Sequence, residues 1–146
     1  MDLLRKIYDA GVVGAGGAGF PTHKKLACKV EYFIINGAEC EPLLKTDRYL
    51  MRNKSNEIAA AAGVIGEHTG ASRIIFAMKK KYLEEIRSIK EAIERTGLNA
   101  EIFYLDEIYP AGDEQILVYE VTGRTVEPGG IPVSYTHLTL PTIYSV

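Results

Sequence analysis

Three short stretches of this chain hold residues whose types and spacing could do chemistry. The first is Gly14-Ala-Gly-Gly-Ala-Gly-Phe-Pro-Thr22, with four glycines in six residues. Glycine has no Cβ, so such a run lets backbone N–H groups close on a ligand. A cradle of this kind suits a phosphate or a flat ring. The other reading is a flexible linker, but glycine-rich linkers carry Ser, Thr or charge, and this run carries Ala, Phe and Pro. Lys24 and Lys25 follow within one expected helical turn and place positive charge beside the loop. The second stretch is Asn36-Gly-Ala-Glu-Cys-Glu-Pro42, where Glu39 and Glu41 stand two apart and Pro42 fixes the turn. Two solvated loop carboxylates would give the same pattern. The third is Tyr109-Pro-Ala-Gly-Asp-Glu-Gln115, which brings Gly112, Asp113 and Glu114 to an expected helix start.

The elements around these stretches alternate. Leu3, Leu4 and Ile7 recur at helical spacing in 2–10 and Gly11 stops that helix. His23 to Ala27 reads as one helical turn. Val30 to Asn36 is a β-branched and aromatic run, hence a buried strand. Asp47 to Met51 is expected to form only a turn. Ser55 is expected to cap a helix from Asn56 to His68 with Ile58, Ala62 and Ile65 buried, ended by Gly70. Arg73–Met78 is a second strand and Lys81–Thr96 a strongly amphipathic helix, with Tyr82, Ile86, Ile89 and Ile93 on its core side and Gly97 at its end. Ala100–Asp106 is the third strand and Gln115–Val121 the last helix. Strand and helix in alternation give parallel βαβ units with right-handed crossovers. The expected fold is therefore α/β: a Rossmann-like three-layer domain with a small, mostly parallel sheet, preceded by a glycine-rich loop. In such sheets ligands lie beyond the carboxyl ends of strands, which is where both carboxylate-bearing stretches fall.

Composition narrows the classes. The 146 residues suit one domain, 47% are hydrophobic, and the net charge is −2. That excludes a disordered chain and gives no electrostatic footprint for nucleic acid. No apolar run approaches the roughly 20 residues of a membrane helix, and Met1-Asp-Leu-Leu-Arg lacks a signal-peptide pattern, so a cytoplasmic location is expected. Cys28 and Cys40 are too few for a zinc or iron–sulfur site, which needs about four ligands. No residue is assigned to a metal, and both cysteines are expected as free thiols. His68, near a helix end, receives no catalytic role.

Taken together, the three stretches closely resemble the flavin- and NADH-binding domain of the flavin subunit of respiratory complex I. They are nearer still to its relatives: the C component of the Rnf ion-pumping complex, the electron-transfer protein of proline reductase, and the cobalamin reductase of diol-degrading microcompartments. The resemblance runs from Leu3 to Pro132, and its motifs are long and in the same chain order. It implies that Gly14, Gly16, Gly17 and Gly19 approach FMN and the dinucleotide, with Phe20 placed to stack on the adenine. Lys25, rather than Lys24, matches a lysine that reaches the cofactors, and Asn36 a flavin-contacting asparagine. Glu39 and Glu41, the candidate catalytic residues, match acids beside flavin and nicotinamide. Tyr109, Gly112, Asp113 and Glu114 match a third part of the flavin pocket. Two positions depart from the complex I pattern: an aspartate there is Ala38 here, and a Glu-Glu pair there is Asp113-Glu114 here. Both point to the Rnf-like branch. Nothing lipoyl-like precedes Met1, which favours the proline-reductase and microcompartment relatives over the Rnf component itself.

The resemblance implies an electron-transfer flavoprotein subunit that takes a hydride from NADH on FMN and hands electrons to iron–sulfur centres in a C-terminal part this chain does not contain. The chain alone is then expected to be inactive and to hold FMN weakly or not at all. Redox partner proteins are implied, with association to a membrane complex as one outcome. The alternative is a catalytically silent docking subunit of a redox complex that keeps the same fold. A plain Rossmann phosphate-binding enzyme is disfavoured, because its glycine loop follows a strand, whereas here the loop precedes the first one.

Val133-Ser-Tyr-Thr-His-Leu-Thr-Leu-Pro-Thr142 stands apart. It resembles, codon by codon, the reverse complement of a transposase adapter used in sequencing libraries. Residues 1–132 are accordingly expected to be the FMN/NADH-binding domain, cut short, and 133–146 a translated artefact excluded from fold reasoning. The genomic locus should then diverge from this chain at about Pro132; the same residues continuing there into a longer native frame would end the claim.

Overall fold

The computed structural model describes residues 2–14, 19–38, 43–107 and 110–125, and the backbone of 137–141. The β-branched run forms strand β1 (Tyr32–Asn36), which pairs in parallel with β2 (Arg73–Lys79), and β2 pairs in parallel with β3 (Ala100–Leu105). Between and around them lie helices α1 (Leu3–Asp9), α2 (Thr22–Lys25), α3 (Thr46–Asn53), α4 (Ser55–Thr69), α5 (Leu83–Thr96) and α6 (Glu114–Thr122). Strand β4 (His137–Pro141) runs parallel to β1 on its other side, in register Tyr32 with His137, so the sheet order is β3-β2-β1-β4.

The sheet separates two apolar layers because side chains alternate along a strand. Phe33, Phe76 and Met78 face one side and pack with Ala62, Ile65, Ile86 and Ile89 of α4 and α5. Ile34 and Ala77 face the other, against Leu117 of α6. Phe33, Ile34, Ile75 and Phe76 are at most 2% exposed, and each such side chain stabilises by about 1.5–3 kcal/mol. The three-layer α/β architecture expected from the alternation is thus present, with the glycine-rich loop between α1 and α2, ahead of β1.

The structure corrects the sequence reading between Asp47 and Ser55. The expected turn is a full helix, α3, and Lys54 alone separates it from α4. The Lys54 N–H donates back to Leu50 O and the Ile58 N–H to Lys54 O, so the backbone runs almost continuously from one helix into the next. Ser55 therefore does not cap. It is the first helical residue, and the cap position, Lys54, makes no side-chain cap bond. Tyr82 likewise precedes α5 rather than starting it, though it is buried together with Ile86 and Ile89. Gly70 and Gly97 end α4 and α5 in the left-handed conformation, at φ 69° and 65°, which the lack of a Cβ permits.

Two positions fix what the sheet presents at its carboxyl end. Gly37, just past β1, has room for no Cβ: one would lie 3.0 Å from Met51 Sδ and 3.1 Å from the backbone oxygen of Ala77. Asp113 caps α6, its Oδ1 accepting from the N–H groups of Gln115 and Ile116 at 3.0 and 3.2 Å. Gly37→Ala should lower unfolding free energy by about 1–3 kcal/mol through overpacking, read by urea titration. Asp113→Ala should cost about 1 kcal/mol and Asp113→Asn far less, since Asn caps nearly as well.

Candidate functional site

After α1 the chain turns at Gly11 and enters the glycine loop through a narrow neck. Val13 and Pro21 form an isolated antiparallel bridge. The Gly14 N–H donates to Phe20 O at 2.9 Å and the Thr22 N–H to Val12 O at 3.3 Å. The neck is closed by backbone groups alone, so the loop needs no bulky side chains to hold its base. Gly14 and Gly19 stand at its two sides; Gly16 and Gly17 lie outside the described residues. Gly19 has φ 59°, and a Cβ there would meet nothing within 4 Å. Glycine is required at that place by conformation, and the position faces open space. Phe20 is 47% exposed, which leaves its ring available to a planar group. Tyr8 and His23 meet edge-to-face at 5.0 Å and brace α1 against α2.

Helix α2 follows at once and orients two lysines differently. Lys24 is exposed, whereas Lys25 is half-buried. Burial holds the Lys25 ammonium below the usual lysine range, and the negative charge of Glu114 partly offsets that effect. Glu114 is the first residue of α6. A lysine next to the glycine loop and an acid from the third stretch, 89 positions later, therefore share one electrostatic environment.

The second and third stretches are tied directly. Asn36, at the last position of β1, donates from Nδ2 to the carbonyl of Gly112 at 2.9 Å, while its Oδ1 accepts from the N–H of Ala38 at 3.0 Å. One amide thus fixes the exit of β1 and the turn before α6. Among the described residues its second N–H has no acceptor. Asp113 is engaged as the cap of α6, so its first role is to aim that helix. Ala38, where the resembling family has an aspartate, is buried in the apolar cluster of Ile34, Ala77, Leu105 and Leu117. Glu39, Glu41 and Tyr109 lie outside the described residues, as does Cys40. The structure joins Asn36 to Gly112 at the carboxyl end of β1 and puts Lys25 within electrostatic reach of Glu114, while Gly14 and Gly19 flank the neck that precedes Lys25 in the chain. Among the described residues no group of three His, Cys, Asp or Glu side chains is placed to hold a metal, and no helix is long and apolar enough to cross a membrane.

Sequence reasoning missed one cluster. Glu85, in the first turn of α5, is 1% exposed and its Oε1 receives Arg48 Nε at 2.8 Å and Arg52 Nε at 3.1 Å. Arg52 also meets Glu84, and the Arg48 guanidinium stacks 4.6 Å from the centre of the Tyr82 ring. The signal was present: two arginines four apart share a helix face, but only once Asp47–Met51 is recognised as helical. Cys28, half-buried, has its thiol pushed up by burial, with Lys29 opposing.

Similarity to known proteins agrees with this geometry. Residues 7–144 match the family model described as the Nuo51 FMN-binding domain. The chain is 42% identical over 132 residues to a protein named cobalamin reductase PduS from Citrobacter freundii, covering 90% of this chain and 29% of that protein. It is 37% identical over 135 residues to the C component of a proton-translocating ferredoxin:NAD(+) oxidoreductase complex from Clostridium ljungdahlii, covering 90% and 29%. The chain thus spans under a third of the length of these relatives. Among solved structures, an NAD+-reducing NiFe hydrogenase in the air-oxidized state superposes with a TM-score of 0.77 at 26% identity, over 93% of this chain and 27% of that one. A three-layer parallel fold, a glycine loop held at its neck ahead of β1, and an Asn36 clamp on the third stretch are what this match spans, and the chain belongs to the Nuo51 FMN-binding domain family.

Proposed function

We propose that the full-length protein accepts a hydride from NADH on FMN and passes electrons on to iron–sulfur centres carried by chain outside the present sequence. The observation that carries this is the Asn36 clamp. It draws two separate stretches to one strand end, with the Lys25–Glu114 pair beside them. The residues fit the group. An open backbone position at Gly19, a half-exposed Phe20, a half-buried ammonium and a spare amide N–H form a set suited to a flat, anionic cofactor. FMN, when bound, supplies the conversion between two-electron and one-electron transfer.

The chain's own residues do the holding. Gly14 and Gly19 let backbone approach the rings, and near-contact stacking of donor and acceptor is what hydride transfer demands. Phe20 offers a face for the adenine of the dinucleotide. Lys25 holds negative charge on its ammonium, and Asn36 turns its remaining N–H toward an acceptor. Glu39 and Glu41 hydrogen-bond the carboxamide and ribose and oppose further negative charge on the reduced ring. Tyr109, Gly112, Asp113 and Glu114 form the third wall. The proposal keeps the cytoplasmic location expected from the sequence and pairs the protein with redox partner proteins. It takes 1–132 as the domain and 133–146 as foreign. On this view the pairing of β4 is what an open sheet edge accepts from any alternating segment.

A second reading, a silent docking subunit, is favoured by one observation. Position 38 presents a methyl group to the apolar layer where the complex I pattern has an acid. Anaerobic titration of the FMN-loaded full-length protein with NADH separates the two. Loss of the flavin's blue absorption is expected, and Lys25→Met should weaken FMN retention roughly tenfold, as for loss of one charge-assisted hydrogen bond. A folded, flavin-loaded protein that NADH leaves yellow would establish the docking reading instead.

A further inference from the structure

Helix α3 has eight residues, one of them, Met51, buried. A helix this short is marginal in water by itself; its C-terminal end runs on into α4 through Lys54, and its side facing α5 is held at Glu85. Both arginine Nε groups converge on its Oε1, while Oε2 is buried with no hydrogen-bond partner among the described residues. A buried carboxylate with one oxygen unmatched is a poor way to gain stability; a whole buried ion-pair cluster replaced by apolar side chains of similar volume generally does as well or better. What the apolar side chains lack is direction. Arg48 and Arg52, one helical turn apart, reach Oε1 from the same face of α3, which narrows the rotation and axial position the helix can take.

That position is passed on to the strand end. Met51 of α3 packs on Gly37, whose hypothetical Cβ would lie 3.0 Å from Met51 Sδ. Gly37 in turn donates its N–H to Ala77 O at 2.8 Å and sits between Asn36 and Ala38, the two residues of the clamp. On the other side, Leu43 holds φ 70°, the one non-glycine positive φ among the described residues, although its side chain is 95% exposed. It stands three residues before the start of α3.

We propose that Glu85 is a positioning residue. Through Arg48 and Arg52 it sets α3, and through α3 and Met51 it sets the Asn36–Ala38 end of β1 for nicotinamide binding. This rests on the flavin–nicotinamide reading above. Three FMN-loaded full-length variants test it: Glu85→Gln, Glu85→Leu and Arg48→Lys. Each is read by thermal melting, by hydrogen exchange of the amides of residues 46–53, and by the NADH concentration that half-saturates flavin reduction. Glu85→Leu removes the unmatched buried carboxylate and leaves two arginines that are 30% and 36% exposed and can turn to water, so it should melt close to the unmodified protein. In Glu85→Leu and Glu85→Gln exchange in α3 should nonetheless speed up, and half-saturation should move to roughly tenfold more NADH with the limiting rate nearly unchanged. Arg48→Lys, which keeps charge but loses the fork, should fall between. Unchanged exchange overturns the latch. Faster exchange with unchanged NADH dependence overturns the positioning role and leaves a structural joint. An unmodified protein that NADH does not reduce overturns the functional reading and the positioning claim with it, while exchange still decides the latch.

Discussion

The side chain of Asn36 uses its carbonyl on the N–H of Ala38 and one of its amide hydrogens on the carbonyl of Gly112, and the other parts of the site are arranged about that pair of bonds. Where a strand leaves its sheet, its backbone groups lose their ladder partners and must find others. A carboxamide is the compact side chain that offers donor and acceptor together. An aspartate would turn an oxygen toward the oxygen of Gly112; a leucine would take the acceptor from Ala38 N–H and the amide donor from Gly112 O at a part-buried site, and a lost partner of this kind costs about 1–3 kcal/mol. The same end tolerates no Cβ at Gly37, where Met51 and Ala77 close in. Residues 36 and 37 are therefore constrained from opposite directions, one by what it must bond and one by what it must not contain.

Different forces hold the sheet and its surroundings, and their magnitudes decide what each can do. Apolar burial fixes the sheet: Phe33, Ile34, Ile75 and Phe76 alone outweigh the ion pairs on the surface. Exposed pairs such as Arg5–Asp9 and Arg95–Glu91 contribute about 0–1 kcal/mol each, so they do not determine where any helix sits. Helix α3 lies between these regimes. It buries one methionine, and its attachments to α5 include the Arg48–Glu85–Arg52 cluster, whose net free energy is small because desolvation cancels attraction. An element held this way opens before the sheet does. It is also an element that touches Gly37, so a helix held with little net free energy adjoins a tightly packed strand end.

Strands and long helices were readable because their signals are local. The β-branched run ending at Asn36, the spacing of Ile86, Ile89 and Ile93, and glycines 70 and 97 each act over a few residues. Helix α3 was not readable in the same way. Its apolar content is low, Leu50 and Met51 adjoin instead of recurring at helical spacing, and its reason to be helical is Glu85, 33 positions beyond Arg52. Ser55 misled for a related reason: a good capping residue caps only where a helix has a free start, and α3 supplies the preceding turn. Lys25 could be separated from Lys24 by resemblance to a family, and the structure gives the physical ground, since one is half-buried beside Glu114 and the other exposed. The Asn36–Gly112 bond spans 76 positions and no local pattern encodes it.

The positive charge beside the glycine loop does not come from a long helix N-terminus. When the loop follows a strand and opens a long helix, the helix N-terminus supplies partial charge and free N–H groups without any side chain. Here the loop comes before β1 and opens onto α2, which is four residues long, too short for aligned peptide dipoles to sum to much. The charge must come from a side chain, and Lys25 is the one that turns inward. Its ammonium is disfavoured there by burial, and the carboxylate of Glu114 removes only part of that penalty. A buried cation with partial compensation is a site that a second anion would relieve. By that argument the neck and the half-buried lysine belong to one arrangement: backbone bonds close the base of the loop, and a partly compensated cation stands one helical turn beyond it.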